Sequence, residues 1–255
     1  MTIYQQSQKE IIKLLRSMTG KFNAYNIWRD FLVLAACAIS NSVDKQQFAK
    51  REEMYMQTIK KYNKEEADKF AEMLALVTIG FSDGQMGDFL GELYMQLEIS
   101  NKEVGQFFTP YNVSKLTAEL TGVNLVDDIV TLNEPSCGSG GMIIAYAEVM
   151  KNQGYDYQEK LRVVCNDLDY DVVKMAYIQL SLLGIDAVIM QGDTITQKMN
   201  EVWYTPMHLV NKAKENERQK NEQMLSAMRK FIDLEKNREQ LEPMQLELFQ
   251  LGEIG

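Results

Sequence analysis

Asp128-Ile-Val-Thr-Leu-Asn-Glu-Pro-Ser-Cys-Gly-Ser-Gly-Gly141 decides how this chain folds. Asp128–Leu132 is a short β-prone run, and it leads directly into a glycine-rich turn, Asn133–Gly141. A helical stretch, Gly140 to about Asn152, follows. Glycines at a strand-to-helix turn let the backbone approach a ligand closely and aim helix N-terminal amides at it. Downstream, Leu161–Asn166 and Ala187–Met190 predict two more strands. Between them Asp169–Leu183 predicts a helix closed by Gly184. Strand–helix–strand–helix–strand at this spacing calls for parallel strands joined by right-handed crossovers. The expected fold is therefore α/β: half of a doubly wound sheet, about three strands, over residues 105–204.

Three further features fall at predicted strand ends, where a nucleoside ligand would need them. The second strand ends in Asn166-Asp167-Leu168-Asp169, and an acid there can accept both hydroxyls of a ribose. The third ends in Gln191-Gly192-Asp193, where an acid can accept a hydrogen bond from an adenine amino group. Upstream, Gly105-Gln-Phe-Phe-Thr-Pro110 enters a helix whose start would face the same crevice. Four such features coinciding at one end of a sheet are poorly explained as ordinary turns.

Outward from this core the character changes. Residues 1–104 read as a helical domain without prolines or strand alternation. Ile27–Ser40 is apolar on most sides and predicts a buried helix. Asp44 is expected to cap a helix from Lys45 to about Lys61, and others are expected at Lys64–Gly80 and Gly87–Glu98. On the other side, Thr205-Pro206 reads as a cap and first helical position. The helix is expected over 205–243, with Met224, Leu225, Met228, Phe231 and Ile232 at three-to-four spacing. Pro243 is expected to end it, leaving residues 244–255 as a tail.

Composition narrows the function classes. With 255 residues the chain can bury a full core. Its net charge is −9, and residues 101–200 carry 7 basic against 13 acidic side chains, which counts against holding nucleic acid alone. One histidine and three scattered cysteines argue against a metal site or a disulfide framework. The N-terminus lacks a basic-then-apolar signal pattern and no apolar run approaches membrane length, so a cytoplasmic protein is expected.

GQFFTP, NEPSCGSGG, NDLDYDVVKMAYIQLSLLGI and GD, in that order, resemble the adenine-specific DNA methyltransferases. The resemblance is nearest to the modification subunits of type I restriction systems and their mobile-element relatives. It covers about residues 85–195 and implies a Rossmann-like methyltransferase domain that binds S-adenosylmethionine (AdoMet). By that pattern Thr109 and Pro110 line the methionine end, Glu134 and the Gly138–Ser139–Gly140 turn hold the amino-acid part, Asp167 takes the ribose and Asp193 the adenine. Phe108, Pro135, Ser136, Cys137 and Leu168 complete the implied cofactor set.

The chain departs from this family in one respect. Such enzymes hold the target amine of a flipped adenine with an Asn or Asp followed by Pro-Pro and an aromatic residue, after a fourth strand. The four prolines here are Pro110, Pro135, Pro206 and Pro243, and no two are adjacent. No fourth strand is expected. Asn200 with Trp203 and Tyr204 has suggestive residue types at the wrong spacing; Trp203 and Tyr204 are expected instead to pack and to dock the C-terminal helix. Two functions stay open: methyl transfer to DNA adenine, with the site completed by some unrecognised group or by a partner chain that supplies the second half-sheet, or an AdoMet-binding regulatory or assembly subunit without catalysis. DNA contact is expected through other subunits. A second copy or partner chain is expected to cover the open edge of the first strand. Finally Gln245, Leu246, Leu248 and Phe249 resemble the short extended peptide by which bacterial replication and repair proteins dock on the sliding clamp.

Overall fold

A computed structural model describes residues 1–97, 108–126 and 128–251, with side chains as far as Lys230 apart from residue 227. The chain divides into two compact units, Met1–Leu209 and Val210–Gly255. The described residues of the first open with the helices α1 (Ile3–Ser17), α2 (Ala24–Val43), α3 (Phe48–Ile59), α4 (Lys64–Gly80) and α5 (Phe89–Gln96). Side-chain caps explain several starts. Thr2 and Gln5 form a capping box at α1, Asn63 and Glu66 another at α4, and Asn23 and Asp88 cap α2 and α5. Helix α2 buries Ile27, Trp28, Phe31 and Leu32 completely, as its nearly all-round apolar sequence requires. Asp44 does act as a cap, its Oδ1 accepting from Gln46 and Gln47 N–H, but that opens a turn and α3 begins only at Phe48.

The second half of this unit runs α6 (Tyr111–Thr121), β1 (Val130–Glu134), α7 (Gly141–Asn152), α8 (Tyr157–Lys160), β2 (Leu161–Asp167), α9 (Tyr170–Leu182), β3 (Asp186–Asp193) and β4 (Lys198–Tyr204). The sheet order is β1-β2-β3-β4, with β1, β2 and β3 parallel. Helix α9 packs on β2 and β3, and α2 packs on α9, so the N-terminal helices and the sheet share one core. Val163, Cys165, Ala187 and Ile189 point into it. On the opposite face Val164 is exposed and Val188 and Met190 are half-buried.

The expected three-strand sheet needs correcting, because a fourth strand is present. β4 pairs antiparallel with β3, matching Ile189 with Trp203 and Gln191 with Glu201. Its inward positions are Trp203 and Glu201, so a charge interrupts the apolar alternation by which a strand is read. The charge is tolerated because Arg51 of α3 pairs with Glu201, donates to Val202 O at 3.0 Å, and lies 3.3 Å from the centre of the Trp203 ring. Both side chains of that pair are 1% exposed. Arg51 thus fastens the N-terminal helices to the antiparallel edge of the sheet. Among the described residues nothing pairs with the free side of β1.

Helix α10 (Pro206–Leu251) starts as its sequence predicts. Thr205 is fully buried and its Oγ1 accepts from His208 N–H and Ala187 N–H. Its end does not follow expectation. The helix runs through Pro243, so residues 244–251 are helical and not the extended tail that clamp docking uses. A proline inside a helix costs about 3 kcal/mol. Here Leu241, Met244, Leu248 and Leu251 keep helical spacing across it. The side chains of Gln245, Leu246, Leu248 and Phe249 lie outside the described residues.

Candidate functional site

The carboxyl ends of β1 and β2 open on a cleft of about 390 Å³. Its floor is the glycine-rich turn. Gly138 and Gly140 have φ of +53° and +93°, which only glycine adopts without strain. A Cβ on Gly138 would also come within 3.2 Å of the Phe108 ring. The turn is tied down by its own backbone: Cys137 N–H donates to Asn166 O and Gly140 N–H to Cys137 O, both at 2.9 Å. Asp167, at the end of β2, lies opposite. Its Oδ2 accepts from Gly138 N–H at 2.8 Å and its Oδ1 from Asp169 N–H at 3.0 Å, which holds the carboxylate facing the turn.

A buried polar knot supports the turn from the helical side. Ser139 Oγ donates to Asp88 Oδ2 at 2.6 Å. Gln179 of α9 donates from Nε2 to Asp88 Oδ1 at 2.9 Å and to Ser139 O at 2.8 Å, and its Oε1 accepts from Leu90 N–H at 2.9 Å. Gly91 is required here, since a Cβ would fall 2.1 Å from Asp88 Oδ2. Burial pushes the Asp88 carboxyl up, against hydrogen bonds from Gln179, Ser139 and Gly91 N–H that favour its ionised form. One more lining group, Ser114 Oγ of α6, is buried with no protein partner among the described residues. A ligand group in the cleft would satisfy it.

The cleft brings together Phe108, Thr109, Glu134, Ser136, Cys137, Gly138, Ser139 and Asp167. Pro110 sits just before α6 as its cap, and Gly140 caps α7 from beneath the turn. Pro135 O accepts from Thr194 Oγ1, and Leu168 is largely exposed. Neither lines the cleft, and nor does Asp193. Its Oδ1 accepts from Ile195 and Thr196 N–H at 2.8 and 3.3 Å, and those backbone bonds hold its carboxyl below the usual range. The Gly105–Phe107 part of the upstream motif lies outside the described residues. On β4, Asn200 Nδ2 donates to Gln191 Oε1, Trp203 is buried against Tyr177, and Tyr204 stacks on His208. None of the three reaches the cleft.

Sequence reasoning missed Asp88, Ser114, Met142, Val172 and Gln179. Only Gln179 carries a readable signal: it is a lone amide in the otherwise apolar Met175–Leu180 run. Asp88 is 51 residues from the serine it holds, and nothing local marks the pairing. The Cys137 thiol is pushed up by its hydrogen bond with Cys165 and by burial, so it is neutral and poorly nucleophilic.

Charge decides which ligands this cleft accepts. Among the described lining residues are three carboxylates, Asp88, Glu134 and Asp167, and no lysine or arginine. A dinucleotide pyrophosphate would meet repulsion there. A ligand with a cationic part and a vicinal diol would meet attraction and two acceptor oxygens. Fold and site together define a mostly parallel α/β domain with an acidic cleft outside the strand ends.

The chain belongs to the N-6 DNA methylase family, whose model matches residues 84–247. It is 26% identical over 133 residues to the type I restriction enzyme MpnII methylase subunit of Mycoplasma pneumoniae, covering 52% of this chain and 23% of that protein. It is 27% identical over 106 residues to the type I restriction enzyme MjaIX methylase subunit of Methanocaldococcus jannaschii, covering 42% of this chain and 18% of that one. The match thus spans a quarter or less of the curated relatives' length. A type I restriction-modification methyltransferase subunit of Streptococcus thermophilus superposes with a TM-score of 0.40 at 12% identity, over 77% of this chain and 59% of the other.

Proposed function

We propose that the cleft binds AdoMet and that the chain serves adenine methylation of DNA as the cofactor-holding part of a larger assembly. The observation that carries this reading is the acidic cleft at the glycine turn, with Asp167 placed opposite it. AdoMet carries a sulfonium, an ammonium, one carboxylate and a ribose diol, and its net positive charge suits a cleft lined by Glu134 and Asp167 better than a phosphate ligand would. When bound it supplies an electrophilic methyl group. The protein's part is to orient it: Asp167 accepts the ribose hydroxyls, Glu134 and the turn hold the amino-acid end, and Phe108 and Thr109 wall the methionine side. Calorimetric titration tests this. Asp167→Ala is expected to weaken AdoMet binding about 30- to 100-fold, the worth of one or two charge-assisted hydrogen bonds. Wild-type protein that takes up no AdoMet would overturn the reading.

These 255 residues contain no Asn/Asp-Pro-Pro-aromatic run, so methyl transfer would need another group of this chain, or a partner chain, to grip the target adenine. The same fact favours a second reading, an AdoMet-binding regulatory or assembly subunit that transfers no methyl group. Transfer of labelled methyl to adenine-containing DNA separates the two. The free side of β1 is where another chain would pair, since an unpaired parallel edge invites strand addition. Sedimentation is expected to show a species heavier than the 29.3 kDa chain, alone or with its partner subunit. A stable monomer with that edge open to solvent would remove the pairing. The three buried free cysteines suit a reducing compartment such as the cytoplasm, and among the described residues no helix is long and apolar enough to cross a membrane.

A further inference from the structure

A second cavity, about 520 Å³, lies between the N-terminal helices and α9. Tyr170 and Lys174, four residues apart on one face of α9, line it, whereas Val172 lines the first cleft. The two sites therefore share the first turns of one helix but carry opposite charge. The second has three cationic side chains, Arg29, Lys61 and Lys174, and one carboxylate, Asp30, in a chain whose net charge is −9. Asp30 is spent on Lys61, accepting at 3.0 and 3.2 Å, and on Tyr62 Oη at 2.7 Å. Arg29 is 3.6 Å from Asp171 and its side chain is 55% exposed.

Lys174 is the unusual member. It is 2% exposed, yet among the described residues its ammonium donates one hydrogen bond, to Tyr170 O at 2.8 Å, and otherwise lies over the Tyr170 ring. An ammonium has three N–H donors, and burying it with donors unused is costly. Burial pulls it down to about 8, while Asp171 and Glu201 favour its charged form. An anion in the cavity would use those donors and offset the burial.

We propose that this cavity binds the phosphate group of a nucleotide, gripped by Arg29, Lys61 and Lys174, with the Phe22 and Tyr170 rings beside it for the base. The site is independent of AdoMet binding at the first cleft. Its volume falls within the range of small-molecule sites, and aromatic walls beside cations suit a phosphate carried on a flat ring.

The test is calorimetric titration of the full chain with adenosine monophosphate, with inorganic phosphate and with a duplex oligonucleotide, in wild type and variants. Adenosine monophosphate is expected to bind, more tightly than phosphate alone, and to weaken with added salt. Arg29→Ala combined with Lys61→Ala is expected to weaken it at least about tenfold; both side chains are half-exposed, so the fold survives. Lys174→Met, similar in volume and uncharged, is expected to do the same. AdoMet affinity stays unchanged in the double variant, which keeps this result separate from the first cleft. If the duplex alone binds and adenosine monophosphate does not, the cavity holds a DNA backbone and the nucleotide assignment is overturned. Failure of all three probes to bind, or binding that the variants leave unaltered, would overturn it.

Discussion

Gln179→Leu is expected to destabilise the protein by about 4 kcal/mol, measured by urea unfolding. Leucine fills nearly the same volume, so little of the loss comes from packing. Three hydrogen bonds disappear together. Asp88 Oδ1 and Ser139 O lose the Nε2 donor, and Leu90 N–H loses the Oε1 acceptor. Gln179 is fully buried, and each group left unsatisfied in such a place costs about 1–3 kcal/mol. The lost bonds also loosen the glycine turn on its helical side, where Ser139 would keep only its bond to Asp88. AdoMet affinity is therefore expected to fall alongside stability, although Gln179 does not line the cleft. A loss below about 1 kcal/mol would mean that water replaces the amide and that the knot does not support the turn.

Arg51→Met is expected to cost about 3 kcal/mol, because it leaves the buried Glu201 carboxylate with the half-exposed Lys50 ammonium, 3.3 Å away, as its remaining ionic partner. The same study of variants would include Arg51→Met with Glu201→Leu. Removing both charges removes the need for either, and most of the lost stability is expected to return. A double variant as unstable as the single one would show that the guanidinium acts mainly by packing on Trp203. The pair also sets a dependence on pH. Burial alone would push the Glu201 carboxyl up; the charge and hydrogen bond of Arg51, a hydrogen bond from Tyr170 and the charge of Lys50 hold it below its ordinary value. A carboxyl depressed by folding contributes stability above its unfolded pKa and loses it as pH falls through the folded one. Wild type is thus expected to lose more stability than the double variant on acidification below about pH 4.

Both predictions concern residues that join the N-terminal helices to the sheet, and these joints are what the linear chain conceals. Gln179 meets a carboxylate 91 residues away, and Arg51 a carboxylate 150 residues away. No window of sequence contains either pair. The site was more legible. The glycine turn and Asp167 could be recognised because each stands at the end of a β-prone run, and chain direction in a parallel sheet brings such ends to one side. Asp193 stands at the end of the third strand by the same rule, yet its carboxylate is occupied by the turn that reverses the chain into β4.

Local pattern was sufficient wherever one element's own residues decide its state. Asn63 with Glu66 determined where α4 begins, apolar residues on nearly every side determined that α2 is buried, and Thr205-Pro206 determined the start of α10. Tertiary structure alone decided that Lys198–Tyr204 is a strand. Its inward side chain is a glutamate, which belongs in a core only when a buried arginine from a distant helix compensates its charge.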